Sequence, residues 1–297
     1  MRSRVSGISR GTESLVFRGD VPLSQYESMR APFQDGAFPG PVKYGYMNVG
    51  IVEESSDAHA DLVGRAVFCL YPHQDLYCVP HAAVTPLPDD LPPDRAVLAA
   101  YMETAVNAVW DARPTAGDHV VVIGAGVVGL LTAWLCRQTP GSRVTVVDIN
   151  PARELVCREL GLVFAGEPPR ASNADLVVHA SGQPEGLRSA LAVAGEESTI
   201  VELSWYGSRS VLLPLGEAFH ARRLTLRSSQ VGRLHPDRTP RWSRARRMEL
   251  ALTLLCDSRL DSLITGESAF DELPVVLARL SGDSTDQLCH RIRYAAR

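Results

Sequence analysis

Three glycines follow a short apolar run, and their spacing is suited to binding phosphate groups. Residues 120–123 lead into Gly124, Gly126 and Gly129 in a GxGxxG pattern, and an apolar segment of helical character follows. A strand, a tight turn and a helix start form the setting in which this pattern binds a dinucleotide, because glycine permits the turn and lets backbone approach a pyrophosphate. Free N–H groups at the helix start then bind the phosphates. The motif therefore predicts a dinucleotide site.

An acidic residue ends the next predicted strand, residues 143–147. Asp148 stands close to the roughly 20-residue spacing at which a carboxylate binds the adenosine ribose, and it would repel the 2′-phosphate of NADP. We therefore expect NAD, with NADP less favoured; if NADP prefers the site, Arg153 is the expected partner of its phosphate. The cofactor-binding residues expected in this region are Gly124, Ala125, Gly126, Val127, Val128, Gly129, Asp148, Ile149 and Arg153. The alternatives are a glycine-rich turn that binds no ligand, and FAD, which usually uses this motif at a chain's N-terminus.

Helices and strands alternate after the glycine motif. A helix is predicted over residues 152–160, and strands are predicted over residues 162–165, 174–182, 198–207 and 224–231. The segment GLRSALAVA, between the second and third of these strands, has a helical pattern. This alternation predicts the α/β class and a Rossmann-type, doubly wound parallel sheet.

The carboxyl ends of parallel strands are where a dinucleotide lies. Ala180 and Ser181, which follow His179, and Leu203 and Ser204 stand at two such ends and are expected to line the cofactor. Trp205 and Tyr206 follow them. These two aromatic residues either form an apolar wall over the nicotinamide ring or belong to a subunit interface.

The first third of the chain has the composition of a compact antiparallel β domain. Residues 5–91 are rich in glycine, proline and short β-branched runs, and a long loop, APFQDGAFPGPVKYGY, carries several aromatic residues. Such loops commonly line sites. The chain opens on RSRVSG, which resembles the end of a strand with no earlier strand to pair with. Either a preceding segment is missing or the fold begins late.

The C-terminal part is predicted to be helical from residue 240 onward, over WSRARRMELALTLLC and LITGESAFDELPVVLARL. Basic residues concentrate here: Arg233, Arg238, Arg241, Arg244, Arg246 and Arg247. Such a run usually forms a solvated helical face, and without interleaved aromatic residues it does not favour nucleic acid. A substrate bearing phosphate or carboxylate is the alternative that we keep open.

The overall composition restricts the class of protein. A hydrophobic content of 45% is sufficient for large cores, and a net charge of −4 gives no general attraction to nucleic acid or to an anionic membrane surface. No uninterrupted apolar run is long enough to span a bilayer. The six cysteines lack the paired spacing of a structural zinc site and are expected to be reduced thiols, so we expect a cytoplasmic protein.

Taken together, these segments resemble the medium-chain dehydrogenase/reductase superfamily of zinc-type alcohol dehydrogenases. GISRGTE stands in the place of the superfamily's G-x-C-x-[ST]-D, YGYMNVGIV in the place of G-H-E-x-x-G-x-V, and METAVNA where its zinc enzymes carry a cysteine or a glutamate. The phrases SGISRGTES, MRAPFQ, VKYGY and METAVNAVWDA are similar to the branch around bacteriochlorophyllide dehydrogenase. We do not transfer the chlorin substrate of that branch.

The resemblance implies a GroES-like catalytic domain, residues 1–103 and 233–297, and a Rossmann domain, residues 104–232. It also implies a homodimer, because SVLLPLG is similar to the strand through which the superfamily dimerises. It does not imply zinc. Ser9 stands at the position of the cysteine ligand, Tyr46 at that of the histidine and Met47 at that of the following acid, so that only Glu103 matches a ligand position. We expect no metal, since zinc prefers about four N, S or O ligands.

Without zinc, the proton and the developing alkoxide charge of a hydride transfer need another donor. Tyr46 is the first candidate, tuned by Lys43 or Glu103, and the alternative is an aromatic ring that fills the metal cavity. Glu103 is the second candidate, as a half-buried acid whose pKa burial can raise. His73 and His81 are candidates for a proton relay, and Thr12 and Ser9 for binding the substrate oxygen.

The leading hypothesis is an NAD(P)-dependent, zinc-independent oxidoreductase that interconverts an alcohol and a carbonyl on a small molecule. A quinone- or enoyl-type reductase also needs no metal and is the second hypothesis. A non-catalytic NAD-binding protein is the third.

Overall fold

The strand that opens the chain lies inside a sheet. In the computed structural model, which describes residues 1–169, 172–282 and 286–295, Arg2–Ile8 pairs antiparallel with Asn48–Ile51 on one side and with Cys289–Arg293 on the other. Both partners follow this strand in the sequence, so the sheet forms around it without an earlier strand. One partner comes from the far end of the chain, and no local pattern indicates a pairing over that distance.

Contacts between residues divide the chain into two units, one formed by Met1–Ala100 with Met248–Arg297 and the other by Tyr101–Arg247. The strands are β1 (Arg2–Ile8), β2 (Asp35–Gly36), β3 (Val42–Lys43), β4 (Asn48–Ile51), β5 (Ala66–Cys69), β6 (Val84–Pro86), β7 (His119–Ile123), β8 (Arg143–Val147), β9 (Val163–Ala165), β10 (Ala174–His179), β11 (Ala194–Glu202), β12 (Thr225–Ser228), β13 (Ile264–Ala269) and β14 (Cys289–Arg293). The helices are α1 (Arg10–Phe17), α2 (Pro93–Ala96), α3 (Ala99–Ala112), α4 (Val127–Arg137), α5 (Arg153–Glu159), α6 (Pro184–Val193), α7 (Arg244–Leu254) and α8 (Leu273–Leu280). The sequence predicts a return of the chain to the first domain at residue 233, whereas the second unit of the structure extends to Arg247.

The first unit is built on a six-stranded sheet with the order β13-β14-β1-β4-β5-β6. Its pairs are antiparallel from β14 to β6, as the composition of residues 5–91 predicts, and β13 pairs parallel to β14. Helix α8 covers one face, where Ile8, Val276, Leu280, Ile292 and Tyr294 form a buried cluster. Residues from both ends of the chain therefore share one core.

Strand β13 corrects the prediction of helix over LITGESA. Along β13, half-buried and exposed residues alternate with a period of two, and the strand pairs with β14 at the edge of the sheet. This alternation is the pattern of a strand with one face on the core. The helix of this region, α8, begins only at Leu273.

The second unit is an α/β layer structure around a parallel sheet with the order β12-β11-β10-β7-β8-β9. All five strand pairs are parallel, and the order corresponds to 3-2-1-4-5-6 read from β9, which confirms the predicted Rossmann-type fold. Strand β7 is almost fully buried, and helices α4 and α6 contact it. In the part of the chain that the structure describes, no helix combines the length and the apolar character needed to cross a membrane.

One row of paired residues marks the carboxyl edge of this sheet. Across the row, Ala165 pairs with Val147, Val147 with Ile123 and Ile123 with His179. The row continues from His179 to Glu202 and from Glu202 to Ser228. The glycine turn, which follows Ile123, and the segments after β10, β11 and β12 therefore all leave the sheet at the same edge.

Candidate functional site

The glycine turn after β7 has two glycines that the packing requires and one that faces open space. Gly124 has φ +107°, and a Cβ atom there would lie 2.6 Å from the backbone nitrogen of Ser181. A Cβ on Gly129 would lie 2.0 Å from the carbonyl oxygen of Gly124. No atom lies within 4 Å of the Cβ position of Gly126, which directly precedes α4. The turn therefore leaves room at the helix start, where a phosphate group binds.

Asp148 is held against this turn. Its Oδ2 accepts a hydrogen bond from the backbone N–H of Ala125 at 2.7 Å, and its Oδ1 accepts one from the N–H of Asn150 at 2.8 Å. The carboxylate is half-buried, whereas the neighbouring Ile149 is 94% exposed and Arg153 is buried. The backbone bonds fix the carboxylate beside the open space at Gly126, which is the place expected for a residue that binds the adenosine ribose.

The ends of β10 and β11 carry a buried pair that our sequence reasoning missed. His179 is fully buried, its Nδ1 lies 2.7 Å from Glu202 Oε2, and its Nε2 lies 2.6 Å from Ser181 Oγ. A signal was available, because each residue is the polar end of an apolar strand, VVH and IVE. The contact itself follows from the register of the two strands, which pairs His179 with Glu202.

Glu202 organises the residues expected to line the cofactor. It accepts hydrogen bonds from the N–H of Ser204 at 2.7 Å and from the hydroxyl of Tyr206 at 3.0 Å. The Ser204 hydroxyl in turn accepts from the N–H of Gly182 at 3.1 Å. Burial raises the pKa of Tyr206 above its ordinary value, so its phenol stays protonated as a donor to the carboxylate. Ala180, Ser181, Leu203 and Ser204 are all half-buried at this edge.

In the first unit, Tyr46 is joined to the residues that precede and open α1. Its hydroxyl donates to Ser9 Oγ at 2.6 Å and also forms a side-chain hydrogen bond with Thr12. Burial, together with the nearby charge of Glu13, raises the pKa of Tyr46 to about 12. A phenol of this kind keeps its proton at neutral pH and can donate it. Three of the predicted site residues, Tyr46, Ser9 and Thr12, thus lie together.

Glu13 is a further residue that sequence reasoning missed. It is 4% exposed, and its Oε1 accepts from the N–H of Ser9 at 2.7 Å while its Oε2 lies 3.0 Å from His73 Nε2. The other ring nitrogen of His73 lies 2.7 Å from Ser6 Oγ, and Ser6 contacts the hydroxyl of Tyr294 at 3.0 Å. His73 therefore belongs to a buried polar chain that ends on the carboxylate beside Tyr46.

Two other residues proposed around Tyr46 have different partners. The Nζ of Lys43 donates to Gln74 Oε1 at 3.3 Å and lies over the ring of Tyr71. His81 is exposed, and its ring stacks on His59 with the centroids 3.7 Å apart. Lys43 or Glu103 was expected to tune Tyr46; in the structure, the charge of Glu13 contributes to the raised pKa of Tyr46.

Glu103, in the second unit, is one half of a buried ion pair. Its Oε1 accepts from Arg247 Nε at 3.1 Å, and the side chains are 8% and 2% exposed, respectively. Arg247 also donates to Asn107 Oδ1 and to the carbonyl oxygen of Val231. Burial raises the pKa of Glu103, and the guanidinium of Arg247 opposes that shift. The expectation of a fully solvated arginine face is wrong for Arg247.

The residues that replace the superfamily's zinc ligands do not form a donor set suited to zinc. The Ser9 hydroxyl is bound to Tyr46, Met47 is packed in the apolar core and Glu103 is neutralised by Arg247. Among residues 1–169, 172–282 and 286–295, no three His, Cys, Asp or Glu side chains are grouped as metal ligands would be. Serine, tyrosine and methionine side chains are not usual zinc ligands.

Comparison with known sequences finds dehydrogenases. No family model matches the chain. Over 123 residues, or 41% of its length, the chain is 31% identical to an L-threonine 3-dehydrogenase of Rhizobium rhizogenes, and this match spans 34% of the relative. The chain thus covers about a third of the length of these threonine dehydrogenases. It is 26% identical to the D-guloside 3-dehydrogenase of Escherichia coli K12 over 89% of its own length and 85% of the relative.

Solved structures share the fold at lower identity. A putative zinc-binding dehydrogenase from Sinorhizobium meliloti bound to NADP has a TM-score of 0.75 and 18% identity, with 98% of this chain and 90% of that chain covered. A short chain alcohol dehydrogenase from Escherichia coli CFT073 complexed with NADH has a TM-score of 0.73 and 17% identity over the same shares. In sequence and in fold, the chain resembles the zinc-type, alcohol dehydrogenase-like enzymes of the medium-chain dehydrogenase/reductase superfamily.

Proposed function

We propose that this protein is an NAD(P)-dependent oxidoreductase that interconverts an alcohol and a carbonyl on a small metabolite, without zinc. The observation that carries the proposal is the turn Gly124–Gly129 with Asp148 bound to its backbone. The relatives support the reaction class. The L-threonine 3-dehydrogenase, matched over part of its length, and the D-guloside 3-dehydrogenase, matched over most of its length, are both named as dehydrogenases of a hydroxyl-bearing metabolite. The replaced ligand positions support a zinc-free enzyme, and we propose that it belongs to the branch around bacteriochlorophyllide dehydrogenase.

The cofactor is held, in our proposal, by backbone groups and one carboxylate. The N–H groups at the start of α4 bind the pyrophosphate beside Gly126, and Asp148 binds the adenosine ribose and so favours NAD over NADP. Ala180, Ser181, Leu203 and Ser204 line the remainder of the dinucleotide. When bound, a nicotinamide cofactor supplies the hydride, so the protein must orient the substrate and move one proton.

Tyr46 is the proposed proton donor for the carbonyl oxygen. Its raised pKa keeps the phenol protonated, and the hydroxyls of Ser9 and Thr12 orient it. Glu13 and His73 form the relay that returns a proton, because they join the surroundings of Tyr46 to Ser6 and Tyr294 by hydrogen bonds. We assign Glu103 a structural role rather than an acid or base role, because Arg247 neutralises it.

We further propose a homodimer and a cytoplasmic location. Residues 210–214 form no strand within the protomer, and Leu212 in this segment is 78% exposed. An exposed residue in a segment outside the sheets of the protomer is available to contact a second copy. All six cysteines are free thiols, which favours a reducing compartment.

The test is turnover of a panel of small aldehydes and ketones with NADH by the wild type and the Tyr46→Phe variant. We expect Tyr46→Phe to lower kcat/KM about a hundredfold or more, since general acid catalysis contributes at least that much. Tyr44→Phe is the matched control. Within the described residues, the one hydrogen bond of the Tyr44 hydroxyl is to the carbonyl oxygen of Met29, at 3.4 Å. NADH affinity should be unchanged in both variants.

Two outcomes would contradict this proposal. Reduction of enones or quinones, with no activity on carbonyls, would support the enoyl- or quinone-type reductase. Binding of NADH without turnover of any panel member, in the wild type and in both variants, would support the non-catalytic NAD-binding protein.

A further inference from the structure

A basic pocket opens beside the carboxyl end of β12. It has a volume of about 560 Å³, and we define it by the four cationic or ionisable basic residues that line it: Arg113, Arg227, Arg233 and His235. All four lie in the second unit. The volume is within the range of pockets that hold small organic molecules, roughly 300 to 1,000 Å³.

Two guanidinium groups of this pocket meet at one histidine. His235 is 5% exposed, and its Nε2 lies within hydrogen-bond distance of both groups. This Nε2 lies 3.1 Å from Arg113 Nη2 and 3.4 Å from Arg227 Nη1. A guanidinium only donates hydrogen bonds. Nε2 therefore accepts from the arginines and orients their guanidinium groups at the pocket.

The backbone supports this arrangement. Arg113 follows the last turn of α3 with φ +53°, in the left-handed region that usually selects glycine at this position. Its N–H donates to the carbonyl oxygen of Val109, so the residue ends the helix while its side chain reaches His235. An arginine kept in a conformation that favours glycine is consistent with a role for the guanidinium.

The acids of the pocket do not cancel its charge. Three arginines face Asp111 and Asp237. The Asp111 carboxylate accepts from Ser229 Oγ at 2.6 Å and from Asn107 Nδ2 at 3.0 Å, so it is already engaged outside the basic cluster. Asp237 forms an ion pair with Arg113 but is 68% exposed, where water weakens the pair. A positive potential therefore remains for an anion.

The position of the pocket relates it to the cofactor edge. Ser228, which lines the pocket, belongs to the same paired row as Ile123, from which the glycine turn begins. Strand β12 is three strand spacings from β7, or roughly 14 Å, on the side opposite to β8 and Asp148. In a doubly wound sheet the dinucleotide crosses this edge, so the nicotinamide half lies toward β12.

We propose that the basic pocket binds a phosphate monoester group of the substrate. This inference rests on the proposed function, since it names the substrate class of that oxidoreductase. A phosphate group offers three terminal oxygens and about two negative charges, which match the guanidinium groups of Arg113, Arg227 and Arg233. The substrate is accordingly a phosphorylated alcohol or carbonyl compound, anchored at β12 while its reacting carbon lies at the nicotinamide end of the cofactor edge.

Binding of inorganic phosphate tests the pocket without any reaction. Calorimetric titrations are run with and without saturating NADH, so that phosphate binding at the glycine turn is recognised by its competition with NADH. We expect binding that persists with NADH present. The side chains of Arg227 and Arg233 are both exposed, but Arg227 is held by His235 and by the carbonyl oxygen of Asp111. Phosphate binding should therefore weaken at least tenfold in Arg227→Gln and about threefold in Arg233→Gln.

Arg158→Gln is the matched control, because it removes an exposed arginine of α5 in the same unit. Phosphate affinity that is equal in Arg227→Gln and Arg158→Gln, or binding that disappears when NADH is added, would overturn the pocket. No phosphate binding by the folded wild type would do the same. NADH binding in these titrations reports separately on the proposed function, so the two failures are distinguishable.

The substrate class is tested with sorbitol 6-phosphate and sorbitol as a probe pair. We expect a higher kcat/KM for the phosphorylated member, expressed mainly in KM, and a ratio between the two that falls at least tenfold in Arg227→Gln. A wild type that prefers the unphosphorylated member, although inorganic phosphate binds at the pocket, would overturn the assignment to the substrate.

Discussion

At the residue scale, the proposed proton transfer depends on Tyr46 and on the groups that hold it. Tyr46, Ser9 and Thr12 could be named from the sequence because they occupy the positions of a recognisable pattern, and the structure brings them together. Glu13 could not be assigned in the same way. Its role comes from His73, which is 60 positions away and meets it only after the chain folds. Sequence spacing shows local neighbours, whereas the buried polar chain is built from distant ones.

The raised pKa of Tyr46 predicts how carbonyl reduction responds to pH. Because burial raises the pKa to about 12, the phenol stays protonated as pH rises and loses its proton only as the pH approaches that value. We expect no decline of kcat/KM caused by Tyr46 between about pH 7 and about pH 10. The pH profile of the wild type checks this. A decline with an apparent pKa near about 8 that is absent from the residual activity of Tyr46→Phe would contradict the assignment.

The buried pair of Glu103 and Arg247 predicts a stability effect. Arg247→Met leaves the Glu103 carboxylate buried without its partner, so we expect a loss of about 3 to 5 kcal/mol in the free energy of unfolding. Adding Glu103→Gln removes the uncompensated charge and should restore part of that loss. Urea denaturation measures both effects.

Arg246→Met is the neighbouring control. Arg246 stacks on the ring of Trp242, with the guanidinium 4.1 Å from the ring centroid, and its loss should cost no more than about 1 kcal/mol. If Arg247→Met cost no more than Arg246→Met, the structural role given to Glu103 would be wrong.

At the scale of elements, the parallel sheet was predicted well and the mixed sheet less well. Strands β7 and β8 are apolar runs followed by a glycine turn or an acid, and such runs are distinct in a sequence. Strands β1 and β13 depend on β14, which joins them from the far end of the chain. Edge strands with one exposed face carry weaker patterns, so LITGESA was interpreted as helical.

The glycine turn gives a prediction at this scale. Gly124→Ala places a Cβ 2.6 Å from the backbone of Ser181 at φ +107°, and neither the turn nor the end of β10 can move without disturbing the sheet. We expect a loss of about 2 kcal/mol or more in the free energy of unfolding. Gly126→Ala has open space and extended backbone, and should unfold like the wild type. Equal stability of Gly124→Ala and wild type would show that the turn is described wrongly.

At the scale of the whole molecule, the sequence predicted two domains with the first one interrupted by the second. The boundaries of the two units lie in helices α3 and α7. A continuous helix has no break in its pattern, so a boundary inside it cannot be read from composition. The basic pocket could not be predicted from the sequence either, because its lining combines the end of α3 with the segment after β12.

The central claim is that the chain binds a nicotinamide dinucleotide at the turn Gly124–Gly129. The most direct measurement is a fluorescence titration of the wild type and Gly126→Ala with NADH and with NADPH. We predict micromolar NADH binding, NADPH binding about tenfold weaker because of Asp148, and NADH binding at least about tenfold weaker in Gly126→Ala at unchanged thermal stability. A folded wild type that binds neither dinucleotide, or a Gly126→Ala variant with wild-type affinity, would contradict the account.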